Sequence, residues 1–135
     1  MGLDQSLIAI RRLSQYATTD HPAIEALLQV IPREYKEHMM RVEVEVVYWH
    51  DAFHIHQWFM DNCKDGGVSR EDINKLIKQC ERVMEDPSLI VEMRLPKWVG
   101  KYGNWWMSDI ELTVTRLNQV KEHMGPEWEF EYRWM

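Results

Sequence analysis

Two widely separated stretches of strict alternation do most to limit what this chain can fold into. The tail EWEFEYRWM puts Trp128, Phe130, Tyr132 and Trp134 on one side of an extended backbone. Glu127, Glu129, Glu131 and Arg133 fall on the other. Earlier, RVEVEVV at 41–47 puts Val42, Val44 and Val46 on one side and Glu43 and Glu45 on the other. Each reads as a strand with one buried and one solvated face. A lone strand cannot satisfy its own backbone, so both must join a sheet whose apolar face something else covers. If these two strands were neighbours their glutamates would stack, which costs energy unless Arg41 and Arg133 intervene. Either the strands do not pair directly, or a partner or second subunit brings positive charge.

Most of the remaining chain has helical spacing. LDQSLIAI at 3–10 reads as a first strand. Asp20 or Thr19 could cap a helix with Pro22 in its first turn and Ala23, Ile24, Leu27, Leu28 and Ile31 inward. After Val47 the period changes. Trp49, Ala52, Phe53, His56, Phe59, Met60 and Cys63 recur at three- and four-residue intervals, which predicts a helix with one buried stripe, ended by the DGG at 65–67. Ser69 and Asp72 form a capping box for a helix burying Ile73, Leu76, Ile77, Cys80, Val83 and Met84 and stopping before Pro87. Residues 88–104 read as a long loop. A last helix runs from Trp105 or Trp106 to Glu122 with Ile110, Val114, Leu117 and Val120 inward, broken by Gly125-Pro126. The expected architecture is α+β. A small antiparallel sheet of the N-terminal, 42–47 and C-terminal strands packs against about four helices.

A chain of 135 residues fits one domain, taken as 1–135, and is long enough for a core without staples. Its net charge of −6 argues against general nucleic-acid binding, although Arg11-Arg12 or Lys97 and Lys101 could form a local basic patch. No apolar run has bilayer-spanning length, and MGLDQSLIAIRR lacks the pattern of a signal peptide. The expected location is cytoplasmic, where Cys63 and Cys80 are read as buried thiols rather than as a disulfide or a metal pair. Seven tryptophans in so small a chain predict that one or two line an interface or pocket, and a homo-oligomer is expected.

Several motifs together resemble a family of small uncharacterised bacteriophage proteins. They are the MGLD start, the V-E-V-E-V strand leading into Tyr48-Trp49-His50-Asp51-Ala52-Phe53-His54-Ile55-His56-Gln57-Trp58-Phe59-Met60, the V-S-R-E-D of the capping box, a glycine-aromatic loop, and an aromatic last strand. Members of that family typically read MGLDMYL and YWRKANAIHKWFV. Here His50-Asp51 stands where relatives carry Arg-Lys, Phe53 replaces their Asn, and Gln57 replaces their second Lys. The loss of those cations weakens any anion-binding role for the outer face of that helix. The resemblance implies a phage setting, and with it the cytoplasm of an infected bacterial host.

Three clusters are candidates for chemistry. His50 and His54 are four apart beside Asp51, so on a helix they share a face and could bind a metal ion. No third ligand is spelled out, and a solvated face is the simpler reading, so no metal is assigned. His56, on the expected buried stripe, could be a catalytic base, but no nucleophile is named by the sequence and a hydrogen-bonded core histidine is the commoner case. LPKWVGKYGNWW at 95–106 is the strongest candidate. Its glycines permit close approach, Lys97 and Lys101 could neutralise a phosphate, and Trp98, Tyr102, Trp105 and Trp106 could stack on a base. The plain alternative is a lid folded onto the core. No Walker or dinucleotide pattern appears.

The expected function is a non-enzymatic binding protein, a counter-defence protein sequestering a nucleotide-like ligand. Tyr48, Trp49, His56, Lys97, Lys101, Tyr102, Trp105 and Trp106 are its expected ligand-binding residues. No catalytic residues and no cofactor are assigned. The alternative is a protein–protein inhibitor of a host or defence enzyme through the acidic strands or exposed tryptophans. A small hydrolase using His56 ranks third.

Overall fold

The computed structural model describes residues 2–12, 29–30, 41–95 and 105–135. Its elements are β1 (Asp4–Arg12), β2 (Arg41–His50), α1 (Phe53–Asn62), β3 (Gly67–Val68), α2 (Arg70–Glu85), a 3₁₀ segment (Pro87–Met93), α3 (Trp106–His123) and β4 (Glu129–Trp134). They build an α+β fold. One antiparallel sheet runs in the order β2-β1-β4-β3, so both ends of the chain lie side by side at its centre. The expected helix at 22–31 lies outside the described residues except for Gln29 and Val30, which are helical.

The helices cover one face of the sheet. Leu7, Ala9, Val47, Trp49, Phe130 and Tyr132 meet Ile55 and Phe59 of α1, Ile73, Leu76, Cys80 and Val83 of α2, and Ile110 and Leu117 of α3 in one core. A bulge keeps β2 in step with that core. Leu7 pairs with Val47 but Ile8 pairs with Glu45, so Val46 is the extra residue. Without it, the two-residue period would set Val47 and Trp49 on the face opposite Val42 and Val44.

β1 separates β2 from β4, so the two glutamate faces are not neighbours. Basic residues of the same chain meet these carboxylates. Arg133 reaches diagonally over β1 with both terminal nitrogens 2.8 Å from the Glu43 carboxylate, and it also contacts Glu131. Arg41 pairs with Glu43, Arg12 with Glu129 and Arg11 with Glu127. Arg11 and Arg12 are therefore parts of ion pairs, not of a basic patch.

Other differences from the sequence reading have local causes. β2 extends through His50, which pairs with Asp4, so Trp49 lies on a strand and α1 begins only at Phe53. The change of direction is fixed at Asp51. Its φ is +54°, its N–H donates to the Leu3 carbonyl (2.8 Å), and its Oδ1 accepts from the Leu3 N–H (2.6 Å). DGG does more than end a helix. Gly66, at φ +79°, turns the chain into β3, and its carbonyl accepts from the Tyr132 N–H (2.8 Å). The Ser69–Asp72 capping box forms in both directions. Met84 is exposed rather than buried on α2, and Val114 is only partly buried on α3. Residues 87–93, expected as loop, are 3₁₀ helix, with Pro87 in its first turn. Cys63 and Cys80 are free, buried thiols, each pushed up to about 12 chiefly by burial.

Candidate functional site

The later start of α1 turns its faces. His54, Ile55, Trp58 and Phe59 point inward, while His56 is only half-buried. The two histidines thus exchange the environments that the sequence suggested. His50 sits exposed at the end of β2 between two carboxylates, with Nδ1 3.0 Å from Asp4 and Nε2 3.3 Å from Asp51. It shares no face with His54, and among the described residues no group of three side chains could hold a metal ion.

His54 has no exposed surface. Its ring lies edge-on to Trp105 and to Trp106, with centroids 6.5 Å away in each case. Among the described residues, neither ring nitrogen has a hydrogen bond of good geometry. Burial lowers its pKa to about 4, and the Trp106 backbone beside it offsets only part of that. The imidazole is therefore neutral, and both nitrogens are held away from water. Buried polar groups without partners are uncommon and costly.

Asp109 is the second unusual group. It lies in the first turn of α3, at the three- and four-residue spacings from Trp106 and Trp105 that define one helix flank. Burial raises its carboxyl from 3.8 to about 6. Trp105 and Trp106 thus stand with a buried base on one side and a high-pKa acid one turn away. Clustering of this kind marks candidate sites. Nothing in the sequence distinguished His54 from a solvated helix residue, or Asp109 from an ordinary first-turn acid.

The expected site residues divide accordingly. Trp105 is 37% exposed and Trp106 is buried. Lys97, Lys101 and Tyr102 lie outside the described residues. Trp49 is buried, and its indole N–H donates to Thr113 Oγ1 (2.8 Å). Tyr48, its neighbour on the strand, faces the other way and donates to Asp4 (2.6 Å). It therefore does not line a pocket with Trp49.

His56 belongs to a structural network. Gln5 Nε2 donates to Tyr132 Oη (3.1 Å) and to the Ala52 carbonyl, while Gln5 Oε1 accepts from the Ala52 N–H. With its oxygen accepting from Gln5, Tyr132 has one proton to donate, and His56 Nδ1 is 2.8 Å away. That leaves the proton of neutral His56 on Nε2. Burial lowers the His56 pKa and raises that of Tyr132, so the hydroxyl is a donor and a poor base. Tyr132 also stacks on Phe59 at 4.0 Å. The network ties β1, α1 and β4 together. Trp134, expected to cover the helices, packs on α1 edge-on to the His56 ring at 4.9 Å but remains 51% exposed.

No described helix is long and apolar enough to cross a membrane. The chain matches no protein-family model, no curated protein and no solved structure.

Proposed function

We propose that this chain is a non-enzymatic binding protein that sequesters a small nucleotide-like ligand where Trp105 and Trp106 meet His54. The observation that carries the reading is the wholly buried imidazole between two tryptophans, which among the described residues makes no hydrogen bond of good geometry. A ligand that displaces the part-exposed Trp105 gains an aromatic surface to stack on and a neutral imidazole to hydrogen-bond. A nucleobase offers both a flat π-face and ring donors and acceptors. Lys97 and Lys101 would supply charge for a phosphate. The phage setting, and action against a defence signal in the cytoplasm of an infected host, rest on the MGLD and Tyr48–Met60 motifs. The alternative, inhibition of a host or defence enzyme, has exposed Trp134 and Met135 in its favour. Its acidic strands are weaker support, because Glu43, Glu127, Glu129 and Glu131 already pair with arginines.

The test is melting of the purified chain against a panel of cyclic and linear nucleotides, with the bound compound identified after denaturation. At least one nucleotide should raise the melting temperature saturably and be recovered intact. Trp105→Ala should abolish the rise while leaving the free protein folded. No rise with any nucleotide refutes the reading, and a chemically altered compound makes the chain an enzyme.

A further inference from the structure

The outer edge of β2 meets α3 along a groove that the proposed ligand site does not use. Among the described residues β2 is hydrogen-bonded only to β1, so the backbone groups of its other edge have no strand partner. Its first half is guarded by charge, with Arg41, Glu43 and Glu45. Such residues keep an edge from pairing indiscriminately. From Val46 to Trp49 the strand carries no charge, and the cleft opens at this point. One lobe of about 350 Å³ lies between Glu45, Val46, Val47 and Tyr48 and the α3 residues Leu112 and Arg116, with the Glu45 carboxylate held by the Ser6 hydroxyl (2.6 Å). A second of about 160 Å³ continues past Arg116 along Val120 and His123 to Met124. Val46 and Arg116 line both lobes, so the two are continuous.

Arg116 gives the groove its chemistry. It lies at the junction of the lobes, is exposed, and donates one long hydrogen bond to Gln119 (3.4 Å). Among the described residues no carboxylate pairs with it, although Arg11, Arg12, Arg41, Arg82, Arg94 and Arg133 each have one. A strand edge without charge from Val46 to Trp49, beside a trough that is mixed at Glu45 and Arg116 and mainly apolar along Val46, Val120 and Met124, suits an extended chain. Such a chain adds main-chain hydrogen bonds, seats alternate side chains in the trough and brings a carboxylate to the arginine.

We infer that the β2–α3 groove binds an extended apolar peptide segment of a partner protein, adding it as a fifth strand on β2 with an acidic group on Arg116. A random decapeptide library displayed against the full chain tests this. Enriched peptides should alternate apolar residues around an Asp, a Glu or a free C-terminus. Arg116→Glu, a surface change, should weaken a chosen peptide about tenfold and favour its Lys analogue. Methylating alternate backbone nitrogens of the peptide should abolish binding through the set that faces β2. Amide shifts on titration should centre on Val46–Tyr48 and Leu112–Arg116. No enrichment, or peptides that bind Arg116→Glu and Leu112→Asp as well as the parent, overturns the inference. So does a homodimer by sedimentation that Leu112→Asp dissociates, because the groove then belongs to a second copy.

Discussion

Replacing His54 tests the central geometric claim, because a buried histidine without hydrogen bonds and one with them respond oppositely. Lowering its pKa from 6.5 to about 4 corresponds to roughly 3 kcal/mol of preference for the neutral ring. The unfolded chain takes up a proton near pH 6.5, while the folded chain does so only near 4. Between those values the unfolded state binds more protons, so the His54 contribution is complete above about pH 6.5 and is lost as pH falls. Asp109 works in the opposite sense, since its folded carboxyl protonates near 6 and the unfolded one near 3.8. The total curve therefore mixes the two, and the difference between wild type and a His54 variant isolates His54. Urea unfolding of wild type and His54→Phe across this range gives that difference. At pH 7 the variant should be at least as stable, because an apolar ring replaces two unpaired polar atoms. Between pH 6.5 and 5 its advantage should widen by about 2 kcal/mol. Phenylalanine is slightly larger than histidine, so His54→Leu controls for overpacking. A flat difference curve, or a loss above about 2 kcal/mol at pH 7 in both variants, would mean that the imidazole is hydrogen-bonded and would remove the basis of the proposed site.

Asp109→Asn should raise the melting temperature at pH 7.5 and leave it almost unchanged at pH 4, where the carboxyl is already neutral; equal effects at both would show that burial does not set its pKa. Arg133→Met should lower the melting temperature at low salt and less so in high salt, and a cycle with Glu43→Gln should show coupling, since Arg133 joins Glu43 and Glu131 across β1. Ser69→Ala should cost about 1 kcal/mol in urea unfolding through loss of the α2 cap, and a neutral result would make the capping box dispensable.

How far the sequence disclosed the fold depended on the range of the signal. Alternation in EFEYRW and the capping box at Ser69 are local, and the elements formed within a residue or two of expectation. The α+β class followed from alternation interleaved with helical spacing. Failures came where a distant contact sets a boundary. Nothing in RVEVEVVYWH says that Asp4 will pair with His50 and carry the strand past Trp49. Nor does it say that Asp51 will lock onto Leu3 and delay the helix to Phe53. With Trp49 and Ala52 off the helix, the inward face of α1 is the one that carries Ile55, Trp58 and Phe59, and successive residues lie about 100° apart, so His54 falls inward and His56 toward the rim. β3 was illegible because two residues carry no period, and it exists because Tyr132 bonds to Gly66. For the candidate site, the sequence singled out the tryptophans by type, but the pairing of Trp105 and Trp106 with His54 depends on how α1 packs against the start of α3.

The distribution of polar satisfaction gives that pairing its weight. Several buried or half-buried polar groups of the core are engaged: Gln5 with Ala52 and Tyr132, Trp49 with Thr113, Thr113 with the Asp109 carbonyl, and His56 with Tyr132. A fold able to meet these demands through long-range bonds is not short of donors and acceptors. Yet on one flank of α3 it keeps an imidazole that makes no hydrogen bond of good geometry among the described residues and, one turn away, a carboxyl whose pKa burial raises to about 6. Apolar residues at both positions would be cheaper for folding alone. Two such costs side by side, next to Trp105 and Trp106, support the proposal of a binding site kept at the expense of stability. It follows that variants which stabilise this flank at pH 7, His54→Phe and Asp109→Asn, should also be those that lose the ligand.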